Sequence, residues 1–228
     1  MTYPSNRMHG ATAARQLPAA MSLRGRISTA RILSTEHESG RVPEKGRVAM
    51  PRLFTGIEVP AHVGLALSLK RGGLYGARWI DRENYHITLR FIGDVDYSIA
   101  DEVTGALDHL VHSEAFSVRL NHLGSFGGDK PRALYAGVEN NATLQRLQAA
   151  QERVLQRLGL QPDGRKFVPH VSLARLRGGS AEEVARFMAF SGRFEPLEFP
   201  VERFVLFSSR DSVGGGPYRI EESYPLAA

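Results

Sequence analysis

Two stretches of this chain carry one pattern of histidine, aliphatic residue, hydroxyl and leucine: His86-Ile87-Thr88-Leu89 and His170-Val171-Ser172-Leu173. Each lies in a run that alternates polar and apolar residues, as a half-buried strand does. Side chains on a strand alternate between its faces. His86 and Thr88 therefore share one face, while Ile87, Leu89 and Phe91 are expected on the other, in a core. His170 and Ser172 likewise oppose Val171 and Leu173. If the two halves are related by an approximate twofold, the two imidazole–hydroxyl pairs meet across a cleft. Arg90 has the parity of His86 and Thr88 and is expected to face the same ligand.

The flanking pattern predicts alternating strands and helices. Strands are read at Arg52–Val59, Trp79–Ile80, His86–Phe91, Phe116–Leu123, Ala133–Val138, Phe167–Leu176, Phe194–Phe199, Phe204–Ser208 and Tyr218–Ser223. Helices are expected after Pro60, after a cap at Asp96 or Ser98, after a cap at Asn140 or Asn141, and after a capping box formed by Ser180 and Glu183. Gly124–Asp129 reads as a glycine-rich loop, and Gly214-Gly215-Gly216 as a hairpin turn. Many strand-to-strand links are short, which favours antiparallel α+β sheets over a doubly wound parallel one. The second half of the chain repeats the grammar of the first.

Charge needs to be divided before it is interpreted. The formal net charge is +5, but residues 1–49 hold eight basic and three acidic residues, and residues 50–228 are balanced. An anionic ligand must then be held by a local basic cluster, since strong non-specific nucleic-acid binding needs many cationic contacts. Residues 1–49 show no sustained alternation or helical stripe. They read as a disordered basic extension, an organelle presequence or a start assigned too early, with Met50 opening the folded sequence of residues 50–228 as a single domain. The chain has no cysteine, so disulfides and thiolate zinc sites are excluded. No apolar run is long enough for a membrane-spanning helix.

Two imidazoles facing one phosphodiester suit in-line displacement. One takes a proton from the attacking water while the other gives a proton to the leaving oxygen. Hydroxyls beside them can donate to the non-bridging oxygens, where charge builds. A lone strand histidine is usually a polar residue on a wet face; the repeated pattern argues otherwise. Zinc needs three or four ligands, and neither motif face carries a third.

These residues resemble the two-histidine (2H) phosphoesterase superfamily, and within it the RNA 2′,3′-cyclic phosphodiesterases formerly called 2′-5′ RNA ligases. The resemblance runs from Met50–Pro60 through both motifs to Phe204–Arg210 and the Tyr218 strand. Phe167-Val-Pro-His-Val-Ser-Leu-Ala-Arg175 is similar to the family's F-x-P-H-x-T-L-A-R signature, with Ser172 where threonine is commoner. It implies a bilobal, pseudo-twofold α+β fold with antiparallel sheets lining a central cleft and helices outside. It further implies opening of a 2′,3′-cyclic phosphate on an RNA end to a 2′-phosphate, with no metal or other cofactor. By motif position His86 is the general acid toward the 3′-oxygen and His170 the general base on water, with Thr88 and Ser172 binding phosphate. The protein is expected to act as a cytoplasmic monomer. End-joining through a 2′-5′ linkage, and a non-catalytic single-stranded RNA-binding module, are the competing readings.

Further substrate contacts are sought around the cleft. Phe126 and Tyr135 could stack on a base or serve the core. Arg90, Lys130, Arg132, Arg165, Lys166 and Arg175 are candidates for flanking phosphates, with a solvated surface charge as the alternative for each. The Gly124–Pro131 stretch lacks P-loop spacing. Asp94 and Asp96 precede a helix and are expected to cap it, while His122 stands near the glycine loop.

Overall fold

The computed structural model describes residues 52–110, 113–209 and 216–227. The expectations for residues 1–49, and for Gly214 and Gly215, fall outside them. Among the described residues nine strands form: β1 Arg52–Glu58, β2 Ala77–Trp79, β3 His86–Asp94, β4 Phe116–Phe126, β5 Ala133–Val138, β6 His170–Leu176, β7 Leu197–Val201, β8 Arg203–Ser209 and β9 Tyr218–Pro225. Four helices accompany them: α1 Ala61–Ser68, α2 Tyr97–Asp108, α3 Ala142–Arg157 and α4 Ala181–Phe190.

Every helix start has a local cause. Pro60 precedes α1, where its missing N–H costs nothing. Asp96 accepts from Ile99 N at the start of α2, and Asn141 accepts from Leu144 N at the start of α3. Ser180 and Glu183 form the reciprocal capping box of α4, as expected. Asp94 does not cap; it pairs with Arg52 at 2.8 Å. The glycine-rich segment is shorter as a loop than the composition suggests. β4 continues through Gly124-Ser125-Phe126, and the turn begins at Gly127, whose φ of 111° a side chain rarely adopts.

All nine strands pair antiparallel in the order β7-β4-β5-β6-β3-β1-β8-β9, with β2 alongside β6. The two half-sheets, β7-β4-β5-β6 and β3-β1-β8-β9, meet through a single paired position, Ile87 with Val171. The spatial halves are not the sequence halves. β4 follows β3 in the chain but joins the other half-sheet, and β8 follows β7 and returns beside β1. The repeated grammar is therefore real, but each unit exchanges strands with the other, which a linear reading cannot register.

The main core gathers Leu53, Ile57, Ile87, Val171, Leu173 and Leu206 with helix residues such as Leu107, Leu144 and Leu155. These are the apolar parities of the strands and the buried stripes of the helices, and their removal from water is the principal stabilising term. Thr55, on the same side of β1, donates to Gln151 of α3 at 2.6 Å. The opposite sheet face carries a separate small cluster of Phe54, Val205 and Phe207, with Tyr218 packed on it. That second face is where the histidines stand.

Candidate active site

The Ile87–Val171 pair sets the geometry of the site. In an antiparallel ladder, the residue before one partner lies across from the residue after the other. His86 therefore faces Ser172, and Thr88 faces His170. Ile87 and Val171 are fully buried, so the side chains of His86, Thr88, His170 and Ser172 project from the opposite, cleft face. The result is a quartet of two imidazoles and two hydroxyls with local twofold symmetry.

Each imidazole is held the same way. His86 Nδ1 lies 2.8 Å from Asn84 O, and His170 Nδ1 lies 2.7 Å from Val168 O. A carbonyl only accepts, so Nδ1 carries the hydrogen in each ring. Nε2 is left to exchange a proton with a ligand. The backbone repeats the arrangement: Val59 N donates to Tyr85 O, and Val138 N donates to Pro169 O.

Aromatic rings enclose both histidines. Phe54, Tyr218 and Phe207 stand with centroids 5.0, 5.0 and 5.4 Å from His86. Phe126 and Tyr135 meet His170 edge-on at 4.8 and 5.2 Å. Burial among these rings pushes His86 down to about 4; its hydrogen bond to Asn84 O opposes the shift, and the charge of His170 adds to it. Burial also lowers His170, against its hydrogen bond to Val168 O.

A bulge in each motif decides what comes next along the strand. Thr55 and Gly56 are consecutive, yet they pair with Arg90 and Thr88, so Leu89 is an extra residue. Leu134 and Tyr135 pair with Ala174 and Ser172, which makes Leu173 the equivalent extra residue. The alternation therefore flips after each motif. Arg90 is turned away from the cleft and only 5% exposed. Its guanidinium donates to the Glu152 carboxylate and to the carbonyls of Phe91 and Gln161. Phe91, expected in the core, is 48% exposed on the cleft side. Arg175 is its counterpart in the second motif.

Two cavities flank the quartet. One, about 370 Å³, has Thr88, Phe91, Phe126, Arg165, Phe167 and His170 in its lining. The Arg165 guanidinium is held by Asp163 at 2.7 and 2.8 Å and lies 5.4 Å from the Phe91 ring centroid. Lys166 lines this cavity too. The other, about 240 Å³, is bounded by Arg78, Trp79, Asp81, Asn84 and Arg175 with Gly216 and Pro217. Lys130 and Arg132 sit at the β4–β5 turn, exposed and outside both linings. His122 lies over Gly137, where a β-carbon would come within 2.1 Å of its ring. Its Nδ1 is 2.6 Å from Asn121 Oδ1.

Sequence reasoning missed Phe91, Phe54 and Phe207 as cleft residues. The parity of Phe54 on β1 held that signal; for Phe91 the bulge concealed it. Among the described residues, no group of three or more His, Asp or Glu side chains is placed to hold a metal ion, and no helix is long and apolar enough to cross a membrane.

Residues 60–212 match the 2′-5′ RNA ligase superfamily. The chain is similar to an RNA 2′,3′-cyclic phosphodiesterase of Thermotoga maritima, with 31% identity over 179 residues, covering 74% of this chain and 92% of the relative. It is 41% identical over 101 residues to a protein of the same name from Aeropyrum pernix, covering 43% of this chain and 57% of that protein. In three dimensions it is similar to a solved protein of Thermus thermophilus, with a TM-score of 0.64, 25% identity, and coverage of 77% of this chain and 97% of the other.

Proposed function

The chain belongs to the 2′-5′ RNA ligase superfamily, and on that premise we propose that it hydrolyses 2′,3′-cyclic phosphate ends of RNA to 2′-phosphates without a metal. The observation that carries this reading is the quartet, two imidazoles and two hydroxyls on one sheet face around the Ile87–Val171 pair. The phosphate sits between them. His170 Nε2 accepts a proton from water as the water oxygen bonds to phosphorus. The phosphorus–O3′ bond breaks, and His86 Nε2 gives its proton to O3′. Thr88 and Ser172 donate to the non-bridging oxygens, where negative charge accumulates. The bound phosphate anion favours the His86 imidazolium that protonation of O3′ needs. With a 5′-hydroxyl in place of water the same groups join it to the cyclic end through a 2′-5′ linkage as the phosphorus–O3′ bond breaks, but water at bulk concentration favours hydrolysis.

Both imidazoles are lowered by burial, which gives the pH dependence a direction. Raising the pH strips the proton from the acid, and lowering it protonates the base. For the free enzyme both limbs fall below the ordinary histidine value, so kcat/KM peaks below about pH 6.5. The kcat profile lies to its alkaline side, because bound phosphate raises both groups. Product analysis with a 2′,3′-cyclic mononucleotide and a short cyclic-ended RNA, in the presence of a chelator, is expected to yield only 2′-phosphates. A 3′-phosphate product, an absolute metal requirement or a kcat/KM flat from pH ~4 to ~8 contradicts the reading.

A further inference from the structure

The helix layer, across the sheet from the histidines, leaves a large apolar surface open. Among the described residues the most exposed large apolar side chains are Phe190, Leu69 and Tyr75, at 84, 80 and 75%. Phe190 ends α4, Leu69 follows α1, and Tyr75 lies in the link from α1 to β2. The three are neighbours in space. Tyr75 and Phe190 line a cavity of about 410 Å³, Leu69 lines another of about 450 Å³, and Ser191 belongs to both walls. Leu65 stands one helical turn before Leu69 and is exposed with it. Val63 and Leu67 of α1 and Val184 of α4 face the other way, into the main core.

Area and charge together select what covers this face. Phe190 and Tyr75, with Leu65 and Leu69, offer on the order of 500–600 Å² of apolar surface, the upper end of what a monomer leaves in one patch. With a polar rim that approaches the ~800 Å² each partner brings to a standard interface. The charges are mixed: Glu183 and Arg186 line the first cavity, Lys70 and Glu195 the second. A nucleic acid or an anionic membrane calls for a basic surface. Residues 1–49, with eight basic and three acidic side chains, call for an acidic one. One acid and one base in each hollow suit a twofold contact, in which the same surface must complement itself. We infer that two copies of the chain associate through this face, Phe190 of each entering the cavity beside Leu69 of the other. The clefts then point outward, and both stay open. This departs from the monomer expected from the sequence. The area is small for an obligate dimer, so the association is reversible and follows concentration.

Sedimentation equilibrium of the full chain over a range of concentrations is expected to show a monomer–dimer equilibrium. It should persist in added sodium chloride, because apolar contact dominates and screening acts on the charged rim alone. Phe190→Glu places a carboxylate in each hollow and is expected to weaken the dimer about 30-fold or more. Leu69→Lys should act in the same direction from the facing wall. Both side chains are exposed, so the far-ultraviolet dichroism of each variant is expected to match the wild type. A photoreactive phenylalanine analogue at position 190 is expected to cross-link two chains, at the 66–70 segment that lines the second cavity. A chain that stays monomeric at every concentration, a dimer indifferent to both substitutions, or a cross-link confined to a single chain, as to its own residues 1–49, overturns the inference.

Discussion

Replacing His86 or His170 by alanine is expected to lower kcat on a 2′,3′-cyclic nucleotide by about 10²–10⁴-fold, and the double variant should fall little further. An acid and a base that serve one displacement act as a unit, so removing the second finds little left to remove. Both rings stand on the cleft face, outside the main core, and the variants are expected to fold. His86 offers a second readout. Its folded pKa is about 4 against an ordinary 6.5. A buried base of this kind resists protonation, so it costs the fold nothing above pH ~6.5 and progressively destabilises it as the pH falls toward ~4. His86→Gln escapes that loss, and on moving from pH ~7 to pH ~4 it should gain on the wild type by on the order of 2–3 kcal/mol. Steady-state kinetics and urea unfolding at the two pH values check both halves. A single variant within about tenfold of wild-type turnover contradicts the assignment.

Arg90→Ala should cost about 3–5 kcal/mol of stability and raise KM together. Arg90 is buried, and its ion pair with Glu152 of α3 is largely closed to solvent. Deleting the cation leaves a carboxylate without its partner in a poorly solvated place. The same guanidinium holds Gln161 O, and Glu152 Oε1 accepts from Asp163 N at 3.1 Å. Arg90 and Glu152 thus anchor the segment that brings Arg165, Lys166 and Phe167 to the aromatic cavity. Loosening it misplaces nucleoside contacts without touching a proton-transfer group, so KM should move more than kcat. Arg90→Met with Glu152→Gln removes both charges and should be the milder change. The cycle should show a coupling above about 1 kcal/mol. An Arg90→Ala protein within about 0.5 kcal/mol of wild type and with unchanged KM contradicts the anchoring role.

Much of the architecture was legible because its causes are local. The caps at Asp96, Asn141 and Ser180 and the alternation of β3 and β6 are written in neighbouring residues. So was the shared face of each histidine and its hydroxyl, since that parity needs only the strand period. The reading failed where one extra residue broke that period. Leu89 looks like any core leucine, and nothing beside it announces a bulge, yet it sends Arg90 inward to Glu152 and Phe91 outward. The equivalent extra residue at Leu173 set Arg175 on the cleft face by the same mechanism. The carbonyls of Asn84 and Val168 that fix the imidazoles were also silent, because a backbone acceptor leaves no mark on residue identity. Strand exchange was invisible for another reason: pairing of β4 with β7, or β8 with β1, is long-range and depends on no adjacent residue.

Catalysis of this kind requires two imidazoles addressing one phosphorus atom from opposite sides. The most direct measurement is a crystal structure of the full chain with its nucleoside 2′-phosphate product bound. It should show Nε2 of His86 and of His170 each within about 3.2 Å of oxygen atoms on, or displaced from, the same phosphorus, with the Thr88 and Ser172 hydroxyls on its remaining oxygens. A phosphate touched by only one histidine, or seated away from the Ile87–Val171 junction, would contradict it.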